Sequence, residues 1–218
     1  MKTNISKQRN RALTIPELLV VSAMLVLLVF IFFPVLFRAR IRGGPNCVSN
    51  LKQVALSFHI WEGDHDNKYP MAISVTNGGG MESIARGDVL DCFRAMSNEL
   101  STPKILICPT DKEHVWATNF ASDFHIFHIS YFVGADVTNE TNPNMLLIGD
   151  DNFTIDNSPV KLGLLTIPTS TSVSWSGTRH IHVGNIAFAD GSVSEVSSSG
   201  LQEALVHSGI ATNRLAIP

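Results

Sequence analysis

The longest stretch dominated by apolar side chains lies near the N-terminus and extends from Leu18 to Phe37. At a rise of about 1.5 Å per residue, a helix of this length extends about 30 Å, which is the hydrocarbon thickness of a bilayer. The pattern therefore predicts a transmembrane helix. Glu17 stands at the edge of this stretch, and a plain membrane anchor gives its carboxylate no role beyond reaching the lipid headgroups.

Basic side chains flank the apolar stretch on both sides. Residues 1–12 carry four basic residues and no acidic residue: Lys2, Lys7, Arg9 and Arg11. A basic leader holds the N-terminus in the cytoplasm, whereas a large domain is translocated largely regardless of the charges beside it. We therefore expect the part of the chain beyond the helix to lie outside the cytoplasm.

Apolar side chains return at helical spacing after Gly43–Pro45: Val48, Leu51, Val54, Ala55, Phe58 and Trp61. This spacing predicts an amphipathic helix over residues 46–62 that needs a sheet to pack on. The strand candidates that follow are bounded by Gly, Asn, Asp and Pro: KILICP, ISYFVG, NMLLIGD, GLLTI, VSWSG and GNIAFADGSVSEV. The predicted fold class is α+β, with a long N-terminal helix, one half in the membrane and one half amphipathic, packed on a C-terminal antiparallel β-sheet.

Composition and motifs exclude several functions. Charged residues make up 16% of the chain and the net charge is −3, which argues against a nucleic-acid partner. The segment VSWSG lacks the first glycine of a nucleophile elbow, and no glycine-rich phosphate loop is present. An enzyme is therefore not expected.

Metal sites are not predicted from spacing. His125 with His128, or His180 and His182 with Asp190, offer ligand atoms but no four-ligand pattern. The acidic turn after the amphipathic helix lacks the glycine and the last carboxylate of a calcium-binding EF-hand loop. No cofactor is expected, and calcium bound by Asp150 and Asp151 is the alternative that stays open.

The N-terminal residues resemble the type IV prepilin signal, with which pilins and type II secretion pseudopilins begin. The resemblance lies in the basic leader, the small residue Ala12, the segment LTIPE and the apolar stretch. It implies cleavage between Ala12 and Leu13 and methylation of the new amine of Leu13. It also implies that Glu17, as fifth residue of the mature chain, pairs with the amine of a neighbouring subunit and that Pro34 allows the helix to bend.

Motifs beyond the helix resemble a bacterial pilin-like subfamily. These are SNLKQ, the segment LSTPKILICPTD, and His180 followed after nine residues by Asp190-Gly191, the H-x9-DG signature. Asp-Gly between two alternating runs also predicts a hairpin turn with Gly191 at positive φ.

The resemblance implies a structural subunit with three parts: a leader over residues 1–12, a transmembrane and filament-core helix over residues 13–42, and a periplasmic head over residues 43–218. Prepilin peptidase and other pseudopilin subunits are its expected partners, in a type II secretion or type IV pilus-like filament at the bacterial inner membrane. The alternative is a membrane-tethered periplasmic binding module that does not polymerise. In an oxidising compartment Cys92 and Cys108 would form a disulfide and Cys47 would stay a free thiol.

Overall fold

The computed structural model describes residues 15–38 and 45–218, with side chains described in residues 15–29 and from Cys47 onward. The chain divides into two compact units, Met1–Ile41 and Arg42–Pro218. The predicted leader and the cleavage site between Ala12 and Leu13 lie outside the described residues.

The first unit contains helix α1, Ile15–Arg38. Glu17 lies in its first turn, where a carboxylate interacts favourably with the helix dipole. Pro34 lies within α1, which continues beyond it to Arg38. The large apolar side chains described in α1 are all exposed, from 44% at Leu28 to 77% at Ile15.

The structure corrects the predicted membrane topology. None of the helices in the described ranges combines the length and the hydrophobicity that crossing a bilayer requires. The prediction of a transmembrane helix was therefore wrong, and so was that of a single-pass inner-membrane protein with a periplasmic head.

The second unit is α+β. Its helices are α2 (Pro45–Asp64), α3 (Met81–Ala85), α4 (Leu90–Ala95), α5 (Ser97–Leu100) and α6 (Ser198–His207). Its strands are β1 (Tyr131–Gly134), β2 (Leu146–Asp150), β3 (Phe153–Ile155), β4 (Ser158–Pro159), β5 (Gly163–Pro168), β6 (Val173–Trp175), β7 (Val183–Phe188), β8 (Val193–Ser197) and β9 (Thr212–Ile217). All strand pairs are antiparallel, in a six-stranded sheet of order β5-β9-β1-β2-β7-β8 and a three-stranded sheet of order β4-β3-β6.

The central strands of the six-stranded sheet, β1, β2 and β7, are buried on both faces. Because successive side chains of a strand point to opposite faces, Tyr131 and Val133 of β1 join the apolar cluster beneath α2, whereas Phe132 joins a second cluster with α6 and the small sheet. Ala187 and Ile186 of β7 divide in the same way. Two apolar layers thus enclose the sheet and fix its position relative to α2.

The predicted fold class was right in its α+β composition and antiparallel sheets but wrong in its long N-terminal helix. The helix that packs on the sheet is α2, which contacts β2, β7 and β8. It begins at Pro45, and proline suits the first position of a helix but not its interior. α1 and α2 are therefore two helices in different units.

One predicted strand is a helical turn instead. The segment KILICP, residues 104–109, overlaps a 3₁₀ helix at Pro103–Leu106. Pro103 occupies its first position, and the hydroxyl of Thr102 accepts a hydrogen bond from the backbone N–H of Lys104. A cap and a proline in this order favour a helix start over an extended strand.

The Asp190-Gly191 turn has the predicted conformation. It joins β7 to β8, with Gly191 at φ 78°. The Asp190 carboxylate accepts a hydrogen bond from the backbone N–H of Ser192 at 2.9 Å. The positive φ favours glycine at this position, and a Cβ atom at Gly191 would lie 2.8 Å from Nε2 of His59, so the imidazole would also have to shift.

We expect Gly191→Val to lower the free energy of unfolding by about 1–3 kcal/mol, because a β-branched residue is strained at positive φ. Chemical denaturation of wild type and variant measures this difference. Gly63→Ala is the matched control, since a Cβ atom there would meet nothing within 4 Å and the position is helical. Equal stability of Gly191→Val and wild type would contradict the turn described here.

Candidate functional site

Four side chains of metal-ligand type converge at one end of the sheet. Cys47 lies in the first turn of α2, Cys108 follows the 3₁₀ helix Pro103–Leu106, Asp150 ends β2, and His180 lies in the loop between β6 and β7. Each is at most 3% exposed. One ligand atom from each residue lies within 4.8 Å of the other three. We call these four residues the four-donor cluster.

Two contacts within the four-donor cluster involve the same nitrogen of the imidazole. Nε2 of His180 lies 3.3 Å from Sγ of Cys108 and 3.5 Å from Oδ2 of Asp150. Sγ of Cys47 lies 3.8 Å from Oδ1 of Asp150. The sulfur, oxygen and nitrogen atoms therefore surround a common point.

Asn185 fixes the carboxylate of Asp150. Its backbone N–H and its side-chain Nδ2 both donate hydrogen bonds to Oδ2 of Asp150, at 2.7 and 2.9 Å. Burial nevertheless raises the pKa of Asp150, and the negative charge of Cys108 raises it further, while His180 and Asn185 act in the opposite direction. The carboxylate is held in one orientation in a site that disfavours its charge.

The two thiols of the four-donor cluster differ in acidity. A hydrogen bond from Cys47 lowers the pKa of Cys108, and hydrogen bonds with His180 and Thr110 lower it further although burial opposes them. The pKa of Cys47 is raised, because its thiol donates to Cys108 and is buried beside Asp150. Cys108 is thus the thiol that ionises first.

This arrangement differs from a Cys-His-Asp catalytic triad. In a triad the nucleophile contacts one imidazole nitrogen and the carboxylate contacts the other. Here Cys108 and Asp150 both face Nε2 of His180, while Nδ1 is buried and has no hydrogen-bond partner within the described part of the chain. The geometry favours four donors around one point over a proton relay.

A network of buried charges lies next to the four-donor cluster. Arg179 Nη2 contacts Oδ2 of Asp111 at 2.7 Å, and Arg179 Nη1 contacts Oδ1 of Asp151. Nδ1 of His114 lies 2.8 Å from Oδ2 of Asp111, and the Ser130 hydroxyl donates to the same oxygen at 2.7 Å. Burial disfavours the charge of Asp111, but His114 and Arg179 outweigh burial and lower its pKa.

A cavity of about 390 Å³ opens beside this network and is lined in part by His114, Asp151 and Arg179. The guanidinium of Arg179 is already engaged by two carboxylates. The positive charge of Arg179 is therefore neutralised within the protein and is not available to an anionic ligand.

A second group of ligand-type side chains is more open. Nδ1 of His59 lies 3.6 Å from a carboxylate oxygen of Glu62 and of Glu140. Glu140 is exposed, and Oε1 of Glu62 accepts a hydrogen bond from the backbone N–H of Glu140. These contacts join the end of α2 to a surface turn.

The structure separates several residues that the sequence grouped together. The predicted disulfide between Cys92 and Cys108 is not formed, because Cys92 is a buried free thiol in α4 and Cys108 faces Cys47 and His180. Of the two calcium candidates, Asp150 joins sulfur and nitrogen donors, whereas Asp151 pairs with Arg179. Calcium prefers oxygen donors, so neither surrounding is typical of it.

The residues of the H-x9-DG signature lie in two different parts of the head. His180 belongs to the four-donor cluster, whereas Asp190 and Gly191 form the β7–β8 turn. Sequence reasoning missed Cys47, Asn185 and Arg179 as partners at the sheet end. The nearest signal was a proline close to each cysteine, Pro45 two positions before Cys47 and Pro109 directly after Cys108, but spacings of tens of residues gave no motif.

Comparisons with protein-family models, with curated proteins and with solved structures find no match to this chain.

We expect Asp111→Asn to lower the free energy of unfolding by about 3 kcal/mol at pH 7, because it leaves the buried guanidinium of Arg179 without one of its two carboxylate partners. The pKa of Asp111 is lower in the folded than in the unfolded chain. Its stabilisation is therefore complete above about pH 4 and is lost as the pH falls through the folded-state pKa. The difference between wild type and variant should shrink in acid, as measured by denaturation at several pH values.

Asp136→Asn is the control for that experiment, because Asp136 pairs with Arg214, whose side chain is 48% exposed. Exposed pairs contribute about 1 kcal/mol or less. A loss in Asp111→Asn no larger than in Asp136→Asn would contradict a structural role for the buried network.

Proposed function

We propose that the chain is a structural, pseudopilin-like subunit that assembles through α1 with further copies of itself or with related subunits. The observation that carries this proposal is the apolar surface of α1, which is exposed on every side over its described residues. A helix that is apolar all round is stable in water only when other apolar surface covers it. The prepilin-like signal at the start of the chain supports the same function.

Neighbouring α1 helices are the partners that fit this surface best. Leu18, Val21 and Leu25 lie on one side of the helix, and Leu19, Val20 and Met24 extend over the others. Ridges of such side chains pack into the grooves of parallel helices, and each helix can contact several neighbours at once. A bundle of α1 helices would cover all sides of each member, whereas a single groove would cover only one.

In such a bundle, Glu17 sets the alignment of neighbouring α1 helices along their axes. It stands in the first turn of α1, directly before the exposed apolar side chains from Leu18 to Val29. The prepilin resemblance implies that the residue faces the methylated amine of a neighbouring subunit after cleavage before Leu13. A charged group that can be paired in only one alignment selects that alignment over shifted ones.

The second unit supports the role of a separate head. It contains its own apolar core on both faces of the six-stranded sheet. The alternative function for the chain is a binding module that does not polymerise. That function gives the exposed apolar surface of α1 no role. Assembly through α1 accounts for that surface, so we favour the filament subunit.

Processing is tested by the intact mass of the chain produced in a host that has a prepilin peptidase. We expect a product that lacks Met1–Ala12 and carries one additional methyl group. The same chain produced in a peptidase-deficient host is the control and should keep its leader. A leader retained in both hosts would contradict the pseudopilin-like assignment.

Assembly is tested by Leu25→Lys, compared with Leu162→Lys as a matched control. Both leucines are exposed, at 59% and 68%, but Leu25 lies in α1 and Leu162 lies in the head. We expect Leu25→Lys to reduce cross-linked or sedimenting multimers by more than about tenfold, because an unpaired ammonium is costly to bury. Leu162→Lys should leave them unchanged. Equal amounts of multimer in both variants and wild type would contradict assembly through α1.

A further inference from the structure

We propose that Cys47, Cys108, Asp150 and His180 bind one zinc ion within the head. This site is independent of the proposed assembly through α1, because all four residues belong to the unit Arg42–Pro218. The donor set of two sulfurs, one imidazole nitrogen and one carboxylate oxygen is one that zinc accepts in tetrahedral sites.

The distances between the donors agree with a tetrahedral ion. Zinc bonds of about 2.0 Å to oxygen, about 2.05 Å to nitrogen and about 2.3 Å to sulfur place neighbouring donors roughly 3.3–3.8 Å apart. The four-donor cluster has 3.3 Å between Cys108 Sγ and His180 Nε2 and 3.5 Å between His180 Nε2 and Asp150 Oδ2. Cys47 Sγ lies 3.8 Å from the other oxygen of this carboxylate, Oδ1, and one ligand atom from each of the four residues lies within 4.8 Å of the other three. The four donors therefore lie close enough together to share one ion.

Burial and charge favour a cation at the centre of the cluster. With both thiols ionised, the cluster carries three negative charges, and each of its residues is at most 3% exposed. Buried charges of one sign are costly unless an opposite charge offsets them. A divalent ion that displaces the two thiol protons removes most of this cost.

Neighbouring side chains already orient the donors. Asn185 holds Oδ2 of Asp150 with two hydrogen bonds, so that Oδ1 stays directed to Cys47. The Thr110 hydroxyl lies 3.1 Å from Sγ of Cys108, and the Tyr131 hydroxyl lies 3.7 Å from Sγ of Cys47. Such surrounding hydrogen bonds are typical of metal sites, where they fix the orientation of the ligands.

Four protein ligands and deep burial indicate a structural rather than a catalytic ion. A catalytic zinc site keeps a position open for water or substrate, whereas a structural site is closed by four protein ligands. The four donors come from α2, the loop after Pro103–Leu106, β2 and the loop that precedes β7. The ion would therefore join four distant parts of the head.

The test uses the full chain, purified in detergent micelles without chelators and supplied with zinc chloride. Elemental analysis should give about one zinc per chain after removal of unbound metal. Cobalt supplied to the zinc-free chain should produce thiolate-to-cobalt charge transfer and the strong visible bands of a tetrahedral site. Both measurements on wild type are independent of whether any variant folds.

Cys108→Ser and His180→Ala should lower the zinc content by at least about tenfold, because each removes one of four ligands. Cys92→Ser is the matched control, since Cys92 is a buried free thiol in α4 outside the cluster. It should keep the wild-type zinc content and cobalt spectrum. Zinc should also raise the melting temperature of wild type and of Cys92→Ser, but not of the two ligand variants.

Three results would overturn the proposal. The first is a wild-type chain that binds no zinc and gives cobalt only the weak pink spectrum of the hydrated ion. The second is zinc content that falls equally in Cys92→Ser and Cys108→Ser. The third is a disulfide between Cys47 and Cys108 that persists in the folded chain, shown by a mass two hydrogens lower and by thiols that react only after reduction.

Discussion

Packing of the apolar side of α2 on the six-stranded sheet is the interaction on which the rest of the head depends. Leu51, Val54 and Phe58 are fully buried there. Each such side chain contributes about 1.5–3 kcal/mol when it leaves water. Because this contact fixes α2 along the sheet, it also carries Cys47, in the first turn of the helix, to the end of β2 where Asp150 lies.

The polar groups at that end of the sheet are organised in two adjoining sites built from the same chain segments. Asp150 belongs to the four-donor cluster, whereas Asp151 belongs to the network of buried charges. Likewise, His180 belongs to the four-donor cluster and Arg179 to the network. A shift of either segment would therefore disturb both sites at once.

Patterns of local periodicity predicted much of the fold. The helical spacing of Leu51, Val54 and Phe58 corresponds to the buried side of α2, and alternation around Asp190-Gly191 corresponds to the β7–β8 hairpin. The predicted continuation of α1 into α2, the membrane span and the strand at residues 104–109 were wrong. Hydrophobicity indicates that a segment avoids water, but it does not specify whether a bilayer, another helix or a sheet covers it.

The sequence by itself determined the α+β class, the turn that requires glycine at position 191, and an N-terminal segment that needs apolar surroundings. Only the tertiary structure decided that Cys108 faces Cys47 and His180 and not Cys92. Turns and periodic helices depend on residues a few positions apart, whose chemistry the sequence shows directly. The four donors are separated by tens of positions, and their meeting depends on strand order and helix packing, which no local pattern encodes.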